Sequence, residues 1–522
     1  MFAKNQIYEC EAGFNSRQGD INQQNFYGPD QLIDGDGVCR STQTGVIIAS
    51  LLPAKQCKYG NPCVPASGEK IHSEIDFQSA GLSIARTYNS RRLSGASTPF
   101  GTGWSDLYGE RLIFPSAGSV AALHVDGEGY FERYDRQGTT DVYRSINQPG
   151  SVLTKIDAVT WELRDGQELF RRFDGAGRLL LIGNVNRPEL DVAIKYSEYW
   201  RDIGSGLFVP IGAVERTTDL KGRSTFFEYE LVNTTPGSCS IAYACSARRL
   251  RHVNLPDGGV VSYTYDSFAN LSSVTYPDGS GRQYHYNEAA NICPTSMPGA
   301  CTGGTVPTDG FPHLLTGISD VPAPGSMLPV SRFATYQYDH HERVISSAHA
   351  GGVDRLELAY TGPAQATLTL PSGKQRVIDF TTGLFRKERA WLDIDTVTGT
   401  QRTTTFTFDT AGRPVTMTDP RGVVRTYEYS ANGLHRTATI NATGTASQQR
   451  IESDWDSTLN VVLETRRRDA ASNVVSRTVH ARNARGQATA TCEIDPRIRP
   501  RWPTPAARPW HRRPVPRSGA PS

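Results

Sequence analysis

The sequence predicts an all-β chain, built from repeated antiparallel β-hairpins that add up to a curved sheet. Three observations lead there. Residues 255–288, "LPDGGVVSYTYDSFANLSSVTYPDGSGRQYHYNE", state one pattern twice. Pro256-Asp257-Gly258 returns 21 residues later as Pro277-Asp278-Gly279, and Tyr263-Thr264-Tyr265 returns as Tyr284-His285-Tyr286. Glycine (49) and proline (31) make up about 15% of the 522 residues, above the roughly 12% of an average chain. The segments between turns are rich in Thr, Val, Tyr and Phe, residues that suit a pleated, half-buried surface.

Each part of the unit has a physical reason. Proline presets φ, aspartate bonds nearby backbone, and glycine accepts positive φ, so Pro-Asp-Gly is a strong turn former. About eight residues between turns make one strand of ordinary length. Along "VVSYTY", Val261, Tyr263 and Tyr265 fall on one face. Tyr284 and Tyr286 pair in the same way, as do Phe406 and Phe408, and Tyr427 and Tyr429. A single hairpin is marginal in water, and stacking hairpins buries a continuous aromatic core.

In chain order, residues 1–55 carry no clear signal. Residues 56–165 read as a β module, and 166–495 as the repeat array. Its units include "FDGAGRLLLIGN" from Phe173, with Asp174 and Gly177. Others follow at Thr218, at Tyr265-Asp266, and at Tyr338-Asp339. "TFDTAGRPVTMTDPRGVVRTYEYSANG" from Thr407 holds Asp409 and Gly412, and further units start at Trp455 and Arg482. The common form is aromatic-Asp-x-x-Gly-Arg/Asn-Leu, an apolar strand, a Pro/Asp/Gly turn, and a strand closing on Tyr-x-Tyr. Residues 496–522 contain eight prolines and seven arginines. They are expected to be disordered, because proline removes backbone donors, and they read as a frameshifted or truncated terminus.

Composition excludes some functions. A net charge of +2 gives no argument for a nucleic-acid partner. No apolar run approaches the roughly 20 residues of a membrane span, and the N-terminus lacks the layout of a secretory signal. None of the nine cysteines forms a CxxC, so zinc is disfavoured. Cys239 and Cys245 lie in one insertion between repeats, and Cys293 and Cys301 in another. Each pair is a candidate local disulfide, and free thiols are the alternative.

The aromatic-Asp units resemble the YD repeats of the rearrangement-hot-spot (RHS) family. "GNPCVPASGEKIHSEIDFQSAGLSIARTYNS" (60–90), followed by "FGTGWSDLYGERL", is similar to the module that precedes those repeats in bacterial members. The resemblance covers about 56–495. It implies a hollow β-shell enclosing a C-terminal toxin, and placement outside the cell or on its surface. It also implies a separately encoded effector or immunity partner. The family's closing motif, of the Asp-Pro-x-Gly-Trp type, is matched only by Asp419, Pro420 and Gly422. No Trp follows, so Asp419 reads as a turn residue.

Catalysis finds no support in the residues. Asp174, Asp257, Asp266, Asp278 and Asp409 recur in turns, which is a structural reason for their presence. Extended backbone would send His340 and His341 to opposite faces, which disfavours a shared metal with His349. No nucleophile elbow, phosphate loop or dinucleotide fingerprint occurs. The reading is a non-enzymatic shell segment without cofactor, enclosing or presenting an effector. The alternatives are a carbohydrate- or cell-surface-binding repeat module, which needs exposed Tyr rings, and a fragment without activity.

Overall fold

The computed structural model describes residues 39–40, 47–48 and 63–494, apart from 80, 91–97, 115–119, 146–150, 166–168, 234–245, 294–310, 363, 382–386, 411, 432, 434, 457–460 and 484–485. It is about 60% strand and 3% helix, the all-β fold that the repeat predicts.

Two sheets carry the structure. A small one joins Cys63–Val64, Glu69–Ser79, Leu82–Asn89 and Trp104–Asp106 as antiparallel neighbours. The large one starts at Arg111–Ile113 and runs hairpin after hairpin to Ala488–Ile494. The expected division at 165 therefore falls inside the large sheet. Two departures interrupt its meander. The side hairpin Arg201–Gly204 and Leu207–Val209 leaves Val192–Tyr196 paired directly with Val214–Asp219. Ile292–Cys293 runs parallel to Ser331–Asp339, while Gly281–Tyr286 pairs with Leu315–Val321. Among the described residues no register joins the first and last strands, so the sheet is open and curved.

The repeat motif is a bulged hairpin turn. The register shifts immediately before the aromatic at Phe173, Tyr229, Tyr265, Tyr286, Tyr338, Phe408, Tyr429 and Trp455. In the turns that start from Asp174, Asp266, Asp339 and Asp409, the Asp N–H donates to the carbonyl four residues on. The residue before that carbonyl takes positive φ: Gly177 at +83°, Gly412 at +74°, but Ala269 at +58° and Glu342 at +62°. A turn followed by one left-handed residue is the geometry of a short bulged hairpin loop, and this is why the motif spaces Gly three after Asp. The Pro-Asp-Gly turns close alike, with Leu255 and Tyr276 in the Asp position and Gly258 and Gly279 at positive φ. Gly177 is doubly constrained, because a Cβ there would collide with the Leu112 carbonyl. The backbone of Arg111–Ile113 folds against this turn, with Leu112 N–H donating to Gly177 O at 2.8 Å.

Candidate functional site

The repeat aspartates hold turns. Asp174 Oδ1 accepts the N–H groups of Ala176 and Arg178, and Oδ2 accepts Arg178 Nε. Asp339 does the same for His341 and Arg343, and Asp266 for Phe268 and Asn270. Asp409 accepts Arg413 N and Nε. Asp257 and Asp278, one residue before the turn glycine, accept Gly259 N and Ser280 N. Asp419 accepts Arg421 N and Val423 N, and those bonds lower its pKa. These oxygens are spent on local backbone, so each residue is a turn clamp.

A longer link joins successive units, and the sequence reading missed it. The Arg that Asp holds lies over the next unit's Tyr: Arg178 over Tyr196, Arg343 over Tyr360, Arg413 over Tyr429, at 4.2–5.1 Å. The Tyr hydroxyl then donates to a carbonyl on the preceding strand, at that strand's first residue in three of four cases. Tyr229 reaches Val214, Tyr265 reaches Leu250 and Tyr429 reaches Pro414, each 15 residues back, and Tyr360 reaches Val344, 16 back. This bond is a reason for Tyr rather than Phe. The available signal was the pairing of Gly-Arg with a Tyr about 16 residues on.

The small sheet covers part of the aromatic wall. Its strands place His72, Glu74 and Asp76 opposite Arg86, which is fully buried between the two sheets. Arg86 Nε donates to Asp76 at 2.7 Å, and Nη2 reaches both Glu74 and the Tyr284 hydroxyl. Tyr263 OH donates to Asp76 at 2.9 Å. Trp104 Nε1 donates to Tyr286 OH at 2.9 Å and its ring meets Tyr284 edge-on at 5.3 Å. Tyr88 OH donates to His313 O, and Leu315 N–H donates back to Tyr88 OH. Lys70 Nζ lies 4.3 Å from the Tyr336 ring centroid.

Burial sets the electrostatics. It opposes charge on Glu74, yet Arg86, His72 and Tyr284 outweigh it and hold the carboxyl well below its usual range. Burial also lowers the His72 pKa, against the opposing pull of Glu74. The Tyr263 and Tyr284 hydroxyls are pushed far up, first by burial. Such a sealed, internally neutralised cluster is a clamp between sheets.

Beyond it the wall lies open. The continuous hydrophobic core runs from Val64 to Phe380. Further on, Trp391, Phe406, Phe408, Tyr427 and Tyr429 occupy the same aromatic positions, yet all are only half-buried. Trp391 and Phe406 meet edge-on at 4.8 Å.

The remaining candidates fall as follows. Cys293 is buried and disulfide-bonded, to a residue outside the described ones. Cys239, Cys245 and Cys301 also lie outside them. His340 and His341 do not diverge as expected: a turn, not a strand, carries them, and their rings lie 3.8 Å apart. His349 packs instead on Phe333. No metal-ligand cluster occurs among the described residues, and no described helix is long and apolar enough to cross a membrane.

Residues 60–134 match the family model described as "Domain of unknown function (DUF6531)", and residues 249–289 and 408–446 match "RHS Repeat". No curated protein matches the chain. Among solved structures, TcdB2-TccC3 aligns at 10% identity, over 84% of this chain and 27% of that one, with a TM-score of 0.28. TcdB2-TccC3-Cdc42 aligns at 11%, over 79% and 23%, with a TM-score of 0.26. A porin-like protein from Bacteroides uniformis aligns at 11%, over 45% and 83%, with a TM-score of 0.17. The chain spans about a quarter of the TcdB2-TccC3 chains.

Proposed function

We propose that the chain, which matches the RHS Repeat model at 249–289 and 408–446, is a non-enzymatic shell segment whose open wall receives a polypeptide effector. One observation carries this reading. The core stops at Phe380 while the same sheet continues to Ile494, which leaves an aromatic face on the side that the small sheet covers elsewhere. Aromatic and aliphatic groups that half-face solvent gain by burial, roughly 25 cal/mol per Å² of apolar area. An extended or unfolded chain supplies such area without a shaped pocket. Placement outside the cell belongs to the same proposal.

The carbohydrate reading has no support from the covered wall, where Tyr263, Tyr284, Tyr336 and Tyr338 are all buried; it competes for the open wall, where Trp391, Phe406 and Tyr427 are half-buried.

The test is binding of a permanently unfolded probe, carboxymethylated α-lactalbumin, to the full chain by fluorescence anisotropy. Saturable binding is expected, weakened at least tenfold by the double substitution Phe406→Ser and Tyr427→Ser. Thr405→Ser and Thr407→Ser, on the opposite face, should leave it unchanged. Absent binding, or binding indifferent to the wall substitutions, overturns the proposal.

A further inference from the structure

The continuous core ends at Phe380, and beyond it later turns meet the earliest strands along a polar seam. Three contacts mark the seam, in the same order along both stretches of chain. Lys387 lies within electrostatic reach of Glu132, and His435 of Arg144. Gln487 Nε2 donates to the Val185 carbonyl. A seam with little apolar burial to hold it is sensitive to a single charge.

His435 is the unusual member. Its side chain is buried, and neither Nδ1 nor Nε2 has a hydrogen-bond partner, whereas buried polar groups are nearly always bonded. Its backbone is fixed: the N–H donates to Ser430 Oγ at 3.0 Å, and the carbonyl accepts the Ser430 N–H at 2.8 Å. Its ring lies flat on Trp455, with centroids 4.8 Å apart and planes 7° apart. The Trp455 indole donates in turn to the Arg436 carbonyl. The neutral imidazole therefore serves as an aromatic plate.

The charges near it are mixed, and the one that acts on it is positive. Arg144 stands on Val142–Ser145, opposite Asp135, which accepts Arg133 Nε at 2.7 Å. On the late side Arg413 lies against Gly433 and is bound to Asp409, and Arg436 lies over Tyr427. Asp456 follows Trp455 on the neighbouring strand. Burial first, and then Arg144, lower the His435 pKa, and among the described residues no carboxylate raises it. Protonation would bury a charge beside another of the same sign, with two N–H donors unanswered.

We propose that His435 is an acid-operated latch: on taking up a proton the ring leaves its stack on Trp455, and the turn that carries it parts from Val142–Ser145. As a route to the aromatic wall the latch rests on the shell reading above; as a device it rests on His435, Trp455 and Arg144 alone. The closed seam disfavours the charged ring, and the open one restores its ordinary value near 6.5, so acid favours the open form. One proton limits the gain to about tenfold per pH unit. The event is local to the seam and leaves the small sheet, with His72, in place.

Hydrogen exchange of the full chain at pH 7.5 and 5.5, corrected for the intrinsic pH dependence of exchange, reads the latch without any ligand. Its failure is therefore separate from failure of the effector probe. Opening at 142–145 and at 435–441 should rise together, by about two- to tenfold more than at 260–286. His435→Gln should abolish that excess. Arg144→Gln, which keeps the histidine and removes the opposing charge, should shrink it. No excess at pH 5.5, an excess that persists in His435→Gln, or a rise on one side of the seam only overturns the proposal. If His435→Gln already loosens the seam at pH 7.5, Arg144→Gln decides, and an undiminished excess there overturns it.

Discussion

The hairpins at 260–286 and at 401–429 are written in the same code, and they sit in different environments. Tyr263 is fully buried and Tyr284 5% exposed, while Tyr427, Tyr429 and Phe406 remain half-buried. Turn geometry, bulge and Tyr-to-carbonyl bond are alike in both. The difference is Trp104, Arg86, Asp76 and their neighbours, which cover one wall and not the other. The repeat therefore supplies an adhesive face, and the small sheet determines where that face becomes core.

Arg86→Met should break the comparison most visibly. It strands Glu74 and Asp76 without their buried partner, a loss of about 3–5 kcal/mol. Arg413→Met in the open region removes a partly exposed pair and should cost under about 1 kcal/mol. Urea unfolding followed by tryptophan fluorescence measures both, and equal losses would mean that the small sheet contributes nothing special.

The two tryptophans give the next contrast. Trp104→Ala should cost about 3–5 kcal/mol, as expected for a buried aromatic. Trp391→Ala should cost under about 2 kcal/mol, because less area returns to water. Hydrogen exchange on the Trp104 variant should show faster opening at 260–286 and unchanged rates at 424–441.

Removing single hydroxyls sharpens the picture. Tyr263→Phe deletes a bond to the Asp76 carboxylate and should cost about 1.5–3 kcal/mol. Tyr429→Phe deletes a bond to the Pro414 carbonyl and should cost about 1 kcal/mol. Differential scanning calorimetry orders the two.

The smallest expected effect is a slope. His72, facing Glu74, Lys70, Arg86 and Tyr336, has its pKa lowered from 6.5. The unfolded chain then binds the proton first, so stability falls as pH drops below about 6.5, at no more than about 1.4 kcal/mol per pH unit. Glu74, whose pKa is also lowered, adds a loss of the same sign below its usual 4.5. His72→Gln should remove the first slope and keep the second, in thermal melts read between pH 4 and 8.

Much of the fold was legible because its determinants are local. Asp, Gly and the aromatic stand within five residues of one another, and the bulged turn needs nothing else. The cover over Tyr263 and Tyr284 was not legible. Asp76 and Arg86 meet partners 187 and 198 residues away, and no period links them. The charges at Glu74 and Arg86, directly opposite in one hairpin, were the single local hint that this strand pair turns charge inward. The open wall was equally hidden, because Tyr427 and Tyr263 are the same residue in the same motif.

The Tyr-to-carbonyl bond also governs how such a chain can change length. Each bond reaches back 15 or 16 residues, from the end of one strand to a carbonyl of the strand before it. Deleting or duplicating a complete pair brings the next Tyr to an equivalent carbonyl, with bulge, Arg and Asp all in phase. Removing one strand alone reverses the direction of everything downstream and leaves the Tyr at the wrong end of the sheet. Gains and losses during evolution should therefore come in whole pairs near 21 residues, while odd-length additions collect in turns, as between 287 and 314.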